Sequence, residues 1–306
     1  MIRHEDAHVN RLWTGASALT LTALLCLAGC DAQQPPSAQS SPSATHASES
    51  HFGHGKNMTV GMKSDQPQIS LQNGSKFDGF EKRLVDYIAT KTGTSTVVSP
   101  VVSKDRDEKL EKRHLSMIVA TYSDNTARRA RIQLAGPYIQ TPQGVLVRNG
   151  YRKIRKSADL KGKTVCTTTG STSEEALNDL GVSILLKTHF AECVELLKSK
   201  QVQAVSTDLL ILYGYQETSS AVIVAKDKDG APVEIPAADQ DRWMIGLQPG
   251  NKADCKVVLA QLESFLSDQK WEQNFTTWFP DVQKDYADWS TRFKPEISSL
   301  SCVGQT

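Results

Sequence analysis

From Met58 to about Trp271 short apolar runs alternate with amphipathic stretches, and this alternation constrains the fold more than any other feature. Met58-Thr-Val-Gly-Met62 reads as a buried opening strand. Turns follow at Asn73-Gly74 and Asp78-Gly79, and Phe80, Leu84, Tyr87 and Ile88 then form a helical stripe closed by Gly93. Leu115 to Thr121 and Gly144 to Val147 are further apolar strands, and Leu160 to Cys166 is a turn leading into another. Gly170-Ser171-Thr172-Ser173-Glu174-Glu175 opens a helix, with acidic residues in its first turn. Val202 to Ser206 is a short strand followed by a helix over Asp208 to Tyr215, and Met244 to Leu247 is again strand-like. Cys255 to Trp271 is an amphipathic helix with Val258, Leu259, Leu262, Phe265 and Leu266 on one face. Strands alternating with helices predict α/β lobes built on mainly parallel sheets.

The N-terminal segment addresses the compartment. Arg3 and Arg11 form a basic start, Ala16 to Ala28 an apolar stretch too short to span a bilayer, and Leu27-Ala28-Gly29-Cys30 closes it. This is the layout of a bacterial lipoprotein signal peptide over 1–29, cut before Cys30, whose thiol and new amino group then carry lipid. Each buried methylene contributes about 0.8 kcal/mol, so a diacylated end holds a domain at the outer face of the cytoplasmic membrane. Plain secretory cleavage and an uncleaved anchor helix are the competing readings. Residues 30–56 offer nothing to bury and read as a flexible tether. His46, His51 and His54, in or beside it, read as a solvated cluster rather than a metal site. The rest is long enough for one large domain or two lobes, each with its own core. Over the whole chain 35 basic and 34 acidic residues balance, which points away from nucleic acid and from a strongly anionic surface as partner. No second apolar run is long enough to cross a membrane, and there is no internal repeat.

Cys26 leaves with the signal peptide and Cys30 takes the lipid, leaving Cys166, Cys193, Cys255 and Cys302 in an oxidising compartment. Two disulfides are expected. Of three pairings, Cys166–Cys193 with Cys255–Cys302 keeps each bridge within one stretch of chain, and such loops stabilise the fold by roughly 3.5 and 4 kcal/mol in the chain-entropy model. No Cys-x-x-Cys occurs and the folded part holds only His114 and His189, so neither a metal nor a cofactor is expected.

Two loops at strand ends carry chemistry. Thr121-Tyr122-Ser123-Asp124-Asn125-Thr126-Ala127-Arg128 offers hydroxyls, amides and a guanidinium in one turn, a set that suits a carboxylate. Gly170-Ser171-Thr172 offers similar donors at a helix start, which favours an anion. Asp208, closing the strand at Val202–Ser206, supplies the opposite charge for an ammonium. Together they describe a receptor for a zwitterion.

The order of these segments is specific. It comprises Val60-Gly61-Met62-Lys63-Ser64-Asp65-Gln66-Pro67, Asp78-Gly79-Phe80, Ile118 to Ser123, Ala135-Gly136-Pro137-Tyr138, Asp159 to Lys163, Thr169 to Ser173 and Ala204 to Asp208. On these the chain resembles the extracytoplasmic solute-binding proteins (family 3) of polar amino-acid ABC transporters, most nearly the glutamate-binding lipoproteins of high-GC Gram-positive bacteria. The resemblance implies a monomeric type II periplasmic-binding-protein fold with two crossover strands. The first lobe would be 57–147 plus 244–306 and the second 148–243. It implies that Arg128 grips a ligand α-carboxylate, helped by Thr121, Ser123 and Thr172, and that Asp208 accepts the α-ammonium. Lys63 is a candidate partner for an acidic ligand side chain, although a lone strand-end lysine more often faces solvent. The implied partners are a free amino acid, glutamate or a relative, and an ABC permease. A lipoprotein sensor reporting to a membrane signalling partner is the alternative, and a dehydratase on the same fold a remote one. The chain departs from the family pattern at Asp124-Asn125, where Ile-Thr is usual, at Arg83 and Ser116, where acidic residues are usual, and at Trp243-Met244. Asp124 beside a carboxylate-binding arginine would disfavour an anionic ligand if it pointed inward.

Overall fold

The computed structural model describes residues 50–236 and 241–303. The signal-peptide assignment, Cys30 and the first part of the tether lie outside the described residues. The chain opens with β1 (Asn57–Met62), a small three-stranded sheet of β2 (Asp65–Gln66), β3 (Ser70–Asn73) and β4 (Lys76–Asp78), and α1 (Phe80–Thr92). There follow β5 (Ser95–Pro100), α2 (Arg106–Glu111), β6 (Met117–Ile118), α3 (Thr126–Arg129) and β7 (Gln133–Thr141). The second lobe holds β8 (Gln143–Arg148), β9 (Thr164–Thr168), α4 (Thr172–Asp179), β10 (Ser183–Lys187), α5 (Phe190–Lys198), β11 (Ala204–Asp208), α6 (Leu209–Thr218), β12 (Val222–Val224) and β13 (Glu234–Ile235). The chain returns through β14 (Asp241–Leu247), α7 (Lys252–Ser267), α8 (Lys270–Trp278), α9 (Pro280–Asp285) and α10 (Trp289–Phe293).

Phe80, Leu84, Val85 and Ile88 of α1 are buried, and left-handed Gly93 ends the helix, as the apolar spacing requires. Each such side chain contributes roughly 1.5–3 kcal/mol on leaving water. The first large sheet runs β5-β1-β6-β14-β7 and the second β10-β9-β11-β8-β12, with β13 also on β8. In each sheet one strand runs against the others: β14 in the first, between β6 and β7, and β8 in the second, between β11 and β12. The chain passes from the first sheet to the second between Thr141 and Gln143 and is back in the first by Asp241. The run Gly144–Val147 therefore belongs to the second sheet, and Arg242 and Trp243 to the first. An apolar run states that a strand is buried, not which sheet it joins; Pro142, lacking an N–H, separates the two ladders.

The helix expected over Cys255–Trp271 is broken. It ends at Ser267, Gln269 takes a left-handed φ of 58°, and Trp271 falls in α8, stacked on Phe275 at 4.7 Å. The apolar stripe spans the break and so conceals it. Both disulfides take the sequential pairing, Cys166–Cys193 and Cys255–Cys302. The second anchors a tail that lies along β7, with Ser298 N donating to Gly136 O at 2.9 Å and Cys302 N to Leu134 O at 2.8 Å. Ahead of this tail α9 and α10 cross to the second lobe. Asp285 accepts from Tyr213 Oη and Lys226 Nζ, each at 2.6 Å, and Glu234 accepts from Tyr286 Oη at 2.9 Å and Arg292 Nη2 at 2.5 Å.

At the other end, the described part of the expected tether is docked. Ser50 Oγ, His51 N and His51 Nδ1 reach the Asp254 carboxylate at 2.6, 3.2 and 2.7 Å, and Gly53 N donates to Thr94 Oγ1 at 2.9 Å. His51 is thus hydrogen-bonded to the buried Asp254 carboxylate rather than solvated. Among the described residues no cluster of metal-ligating side chains occurs and no helix is long and apolar enough to cross a membrane.

Candidate functional site

Strand ends of both sheets converge on one cavity. From the first lobe it is lined by Lys63, Gln66, Ser103, Arg106, Thr121 and Ser123; from the second, the chief polar groups are Ser171, Thr172, Thr207 and Asp208. Six of the seven ligand residues expected from the sequence are therefore together: Lys63, Thr121, Ser123, Ser171, Thr172 and Asp208. The lobes touch around the rim, where Thr172 Oγ1 lies 3.3 Å from Ser123 Oγ. Gly170, at φ 74°, is needed there, because a Cβ would stand 2.8 Å from Lys104 Cα.

Lys63 follows the last residue of β1 and is only 5% exposed, so it does not face solvent. Its Nζ donates to Ser103 Oγ at 2.6 Å. Burial, reinforced by the charge of Arg106, pulls its pKa down to about 7. Glu81 lies nearby, accepting from Thr121 N at 2.6 Å and Tyr138 Oη at 2.5 Å, and burial raises its pKa to about 7 against those bonds.

Arg106, which no motif in the sequence singles out, lines the cavity at 2% exposure. Its Nη1 donates to the carbonyls of Ala120 and Thr121 at 2.8 and 2.9 Å, and its Nε to Ser103 O at 3.1 Å. Burial and neighbouring Arg128 lower its pKa to about 10, which leaves it charged at neutral pH. Arg128, the guanidinium expected to grip the ligand, is buried but is not among the lining residues. Its Nη1 donates to Ser123 O, its Nε stands 3.7 Å from Asp107, and its guanidinium lies over the Tyr122 ring at 4.6 Å. Arg106 lies over the same ring at 4.8 Å. Asp124 is turned away: its carboxylate pairs with Arg129 and, at 3.4 Å, Arg242. Arg83 pairs with Asp78, Ser116 Oγ accepts from Thr59 N, and Met244 is buried where β14 shifts register.

On the opposite wall Asp208 caps the strand β11 and precedes α6. Its Oδ2 accepts from Trp243 Nε1 at 2.7 Å, while buried Oδ1 has no partner. Burial and the adjacent Asp241 hold its carboxyl well above the ordinary range. Asp208 faces Gln143 in register, and Gln143 Nε2 donates to Asp241 Oδ2 at 2.7 Å, so both crossovers meet at this carboxyl. The cavity thus sets Arg106 and the titrating Lys63 against one carboxyl whose Oδ1 has no hydrogen-bond partner.

This fold and site define a two-lobed solute clamp. Residues 58–281 match the model of the bacterial extracellular solute-binding proteins, family 3, and the chain belongs to that family. The glutamate-binding protein of Corynebacterium efficiens is 29% identical over 233 residues, covering 72% of this chain and 78% of that one. A glutamine-binding protein of Bacillus subtilis is 27% identical over 232 residues, 73% of this chain and 81% of that one. Among solved structures, an ancestral arginine-binding protein bound to arginine superposes with a TM-score of 0.64 at 24% identity, covering 73% of this chain and 98% of that one. An ancestral amino-acid-binding protein described as a precursor of cyclohexadienyl dehydratase gives 0.65 at 19% identity, covering 73% of this chain and 95% of that one.

Proposed function

We propose that this protein is a non-catalytic receptor for an acidic amino acid, glutamate or a close relative, held at the outer face of the membrane by lipid on Cys30 and delivering its ligand to an ABC importer. One observation carries the reading: Lys63, Ser103 and Arg106 converge on one wall of a cavity whose other wall presents Asp208. A zwitterion with a second carboxylate matches that layout. Its side-chain carboxylate meets Lys63, Ser103 and Arg106, and its ammonium meets Asp208 Oδ1. Its α-carboxylate meets Thr121, Ser123, Ser171 and Thr172, with Arg128 behind Ser123. A cationic side chain would face two like charges in a water-poor site, an arrangement that costs several kcal/mol. The relative named for glutamate supports the assignment.

Uptake of labelled L-glutamate by cells lacking the gene tests delivery. Complementation with the wild type restores uptake; Arg106→Gln does not; Cys30→Ser releases the protein to the medium and lowers uptake. Uptake unchanged by deletion of the gene contradicts the reading.

A further inference from the structure

The residues after Lys63 do more than line the cavity. Gln66 is buried, its Nε2 donates to Thr121 Oγ1 at 3.2 Å, and its buried Oε1 has no partner. Its neighbour Asp65 reaches across to the second lobe. Asp65 Oδ2 accepts from Ala191 N at 3.2 Å, and Asp65 O accepts from Tyr215 Oη. Ala191 is the second residue of α5, whose first-turn N–H groups lack partners within the helix. Glu192 serves His189 N at 3.1 Å; the carboxylate that serves Ala191 comes from the other lobe. Next along, Pro67 O approaches α6 so closely that a Cβ on Gly214 would stand 2.1 Å from it. Phe190, the first residue of α5, lines the cavity and packs on Tyr215 with ring centroids 5.5 Å apart.

We propose that Asp65 is a positioning residue, a latch that holds α5 and α6 of the second lobe over the solute, and that Gln66 is the adjoining ligand contact, its Oε1 accepting from the solute ammonium beside Asp208. The Gln66 half rests on the function proposed above; the latch half does not. The two acceptors without partners, Gln66 Oε1 and Asp208 Oδ1, come from opposite lobes, so an ammonium between them joins the lobes where Asp65 already does. Residues 65 and 66 form one two-residue strand, β2, so a contact at Gln66 bears directly on the Asp65 bridge.

The test measures lobe separation by small-angle scattering without ligand, and L-glutamate dissociation by stopped flow, in wild type, Asp65→Ala, Asp65→Asn and Gln66→Leu. Asparagine caps a helix about as well as aspartate. Asp65→Ala should enlarge the ligand-free radius of gyration and speed dissociation roughly fivefold to tenfold, the equivalent of one lost cap, with association little changed. Asp65→Asn should restore both. Gln66→Leu should weaken glutamate binding while leaving the ligand-free radius as in wild type. If Asp65→Ala leaves the radius unchanged, the latch is wrong. If Asp65→Asn behaves as badly as Asp65→Ala, Asp65 acts as a countercharge to Lys63, and the capping role is overturned. Failure of wild type to bind glutamate would sink the function and the Gln66 contact, whereas the scattering arm would still decide the latch.

Discussion

The indole Nε1 of Trp243 donates to Asp208 Oδ2 at 2.7 Å, linking the return strand of the first lobe to the end of β11 in the second. Both residues are buried, so the bond satisfies Oδ2 of a carboxyl that cannot reach water. Trp243→Phe removes the donor and should destabilise the ligand-free protein by about 2 kcal/mol, because a buried acceptor is stranded. A denaturant midpoint unchanged from wild type would refute this.

In the proposed binding mode Lys63 makes ligand binding depend on pH. Its folded pKa of about 7 lies below the ordinary lysine value of 10.5, so the unfolded chain binds more protons between these two values. This group therefore makes the ligand-free protein more stable as pH rises through that window. A bound carboxylate reverses the depression and draws a proton onto Lys63, so its contribution to affinity falls as pH rises above about 7. Calorimetry in buffers of differing ionisation enthalpy should show less proton uptake in Lys63→Met than in wild type at pH 8. Equal uptake in both would place Lys63 outside the ligand site.

The C-terminal helices hold the hinge side. Asp285 joins Tyr213 and Lys226 beyond the residues that match the family model. Asp285→Ala should cost about 2 kcal/mol by stranding the buried Tyr213 hydroxyl. Removing the Cys255–Cys302 bridge by paired serine substitution should cost about 4 kcal/mol for a loop of this length. Unfolding midpoints at matched pH check both, and the bridge should contribute nothing once wild type is reduced.

Much of the site could be read from the sequence, and the exceptions share a cause. Asp208 and the Thr121 loop follow apolar strands, so period and turn chemistry placed them at strand ends. Arg106 was hidden inside Ser103-Lys-Asp-Arg-Asp-Glu-Lys109, a run that looks solvated. Its burial comes from the carbonyls of Ala120 and Thr121, which only the folded chain brings to its guanidinium. His51 looked like tether for the same reason, since its partner Asp254 is distant in sequence. Asp124, alarming beside Arg128 in the sequence, is neutralised by Arg129 and by Arg242 of another strand.

Isothermal calorimetry of residues 31–306 with L-glutamate, L-glutamine and L-arginine, in wild type and Arg106→Gln, decides whether the cavity is a receptor for an acidic amino acid. Glutamate should bind wild type most tightly, arginine should not bind, and Arg106→Gln should weaken glutamate by roughly 2–5 kcal/mol while largely sparing glutamine. Arginine binding more tightly than glutamate, or glutamate binding unaffected by Arg106→Gln, would contradict that assignment.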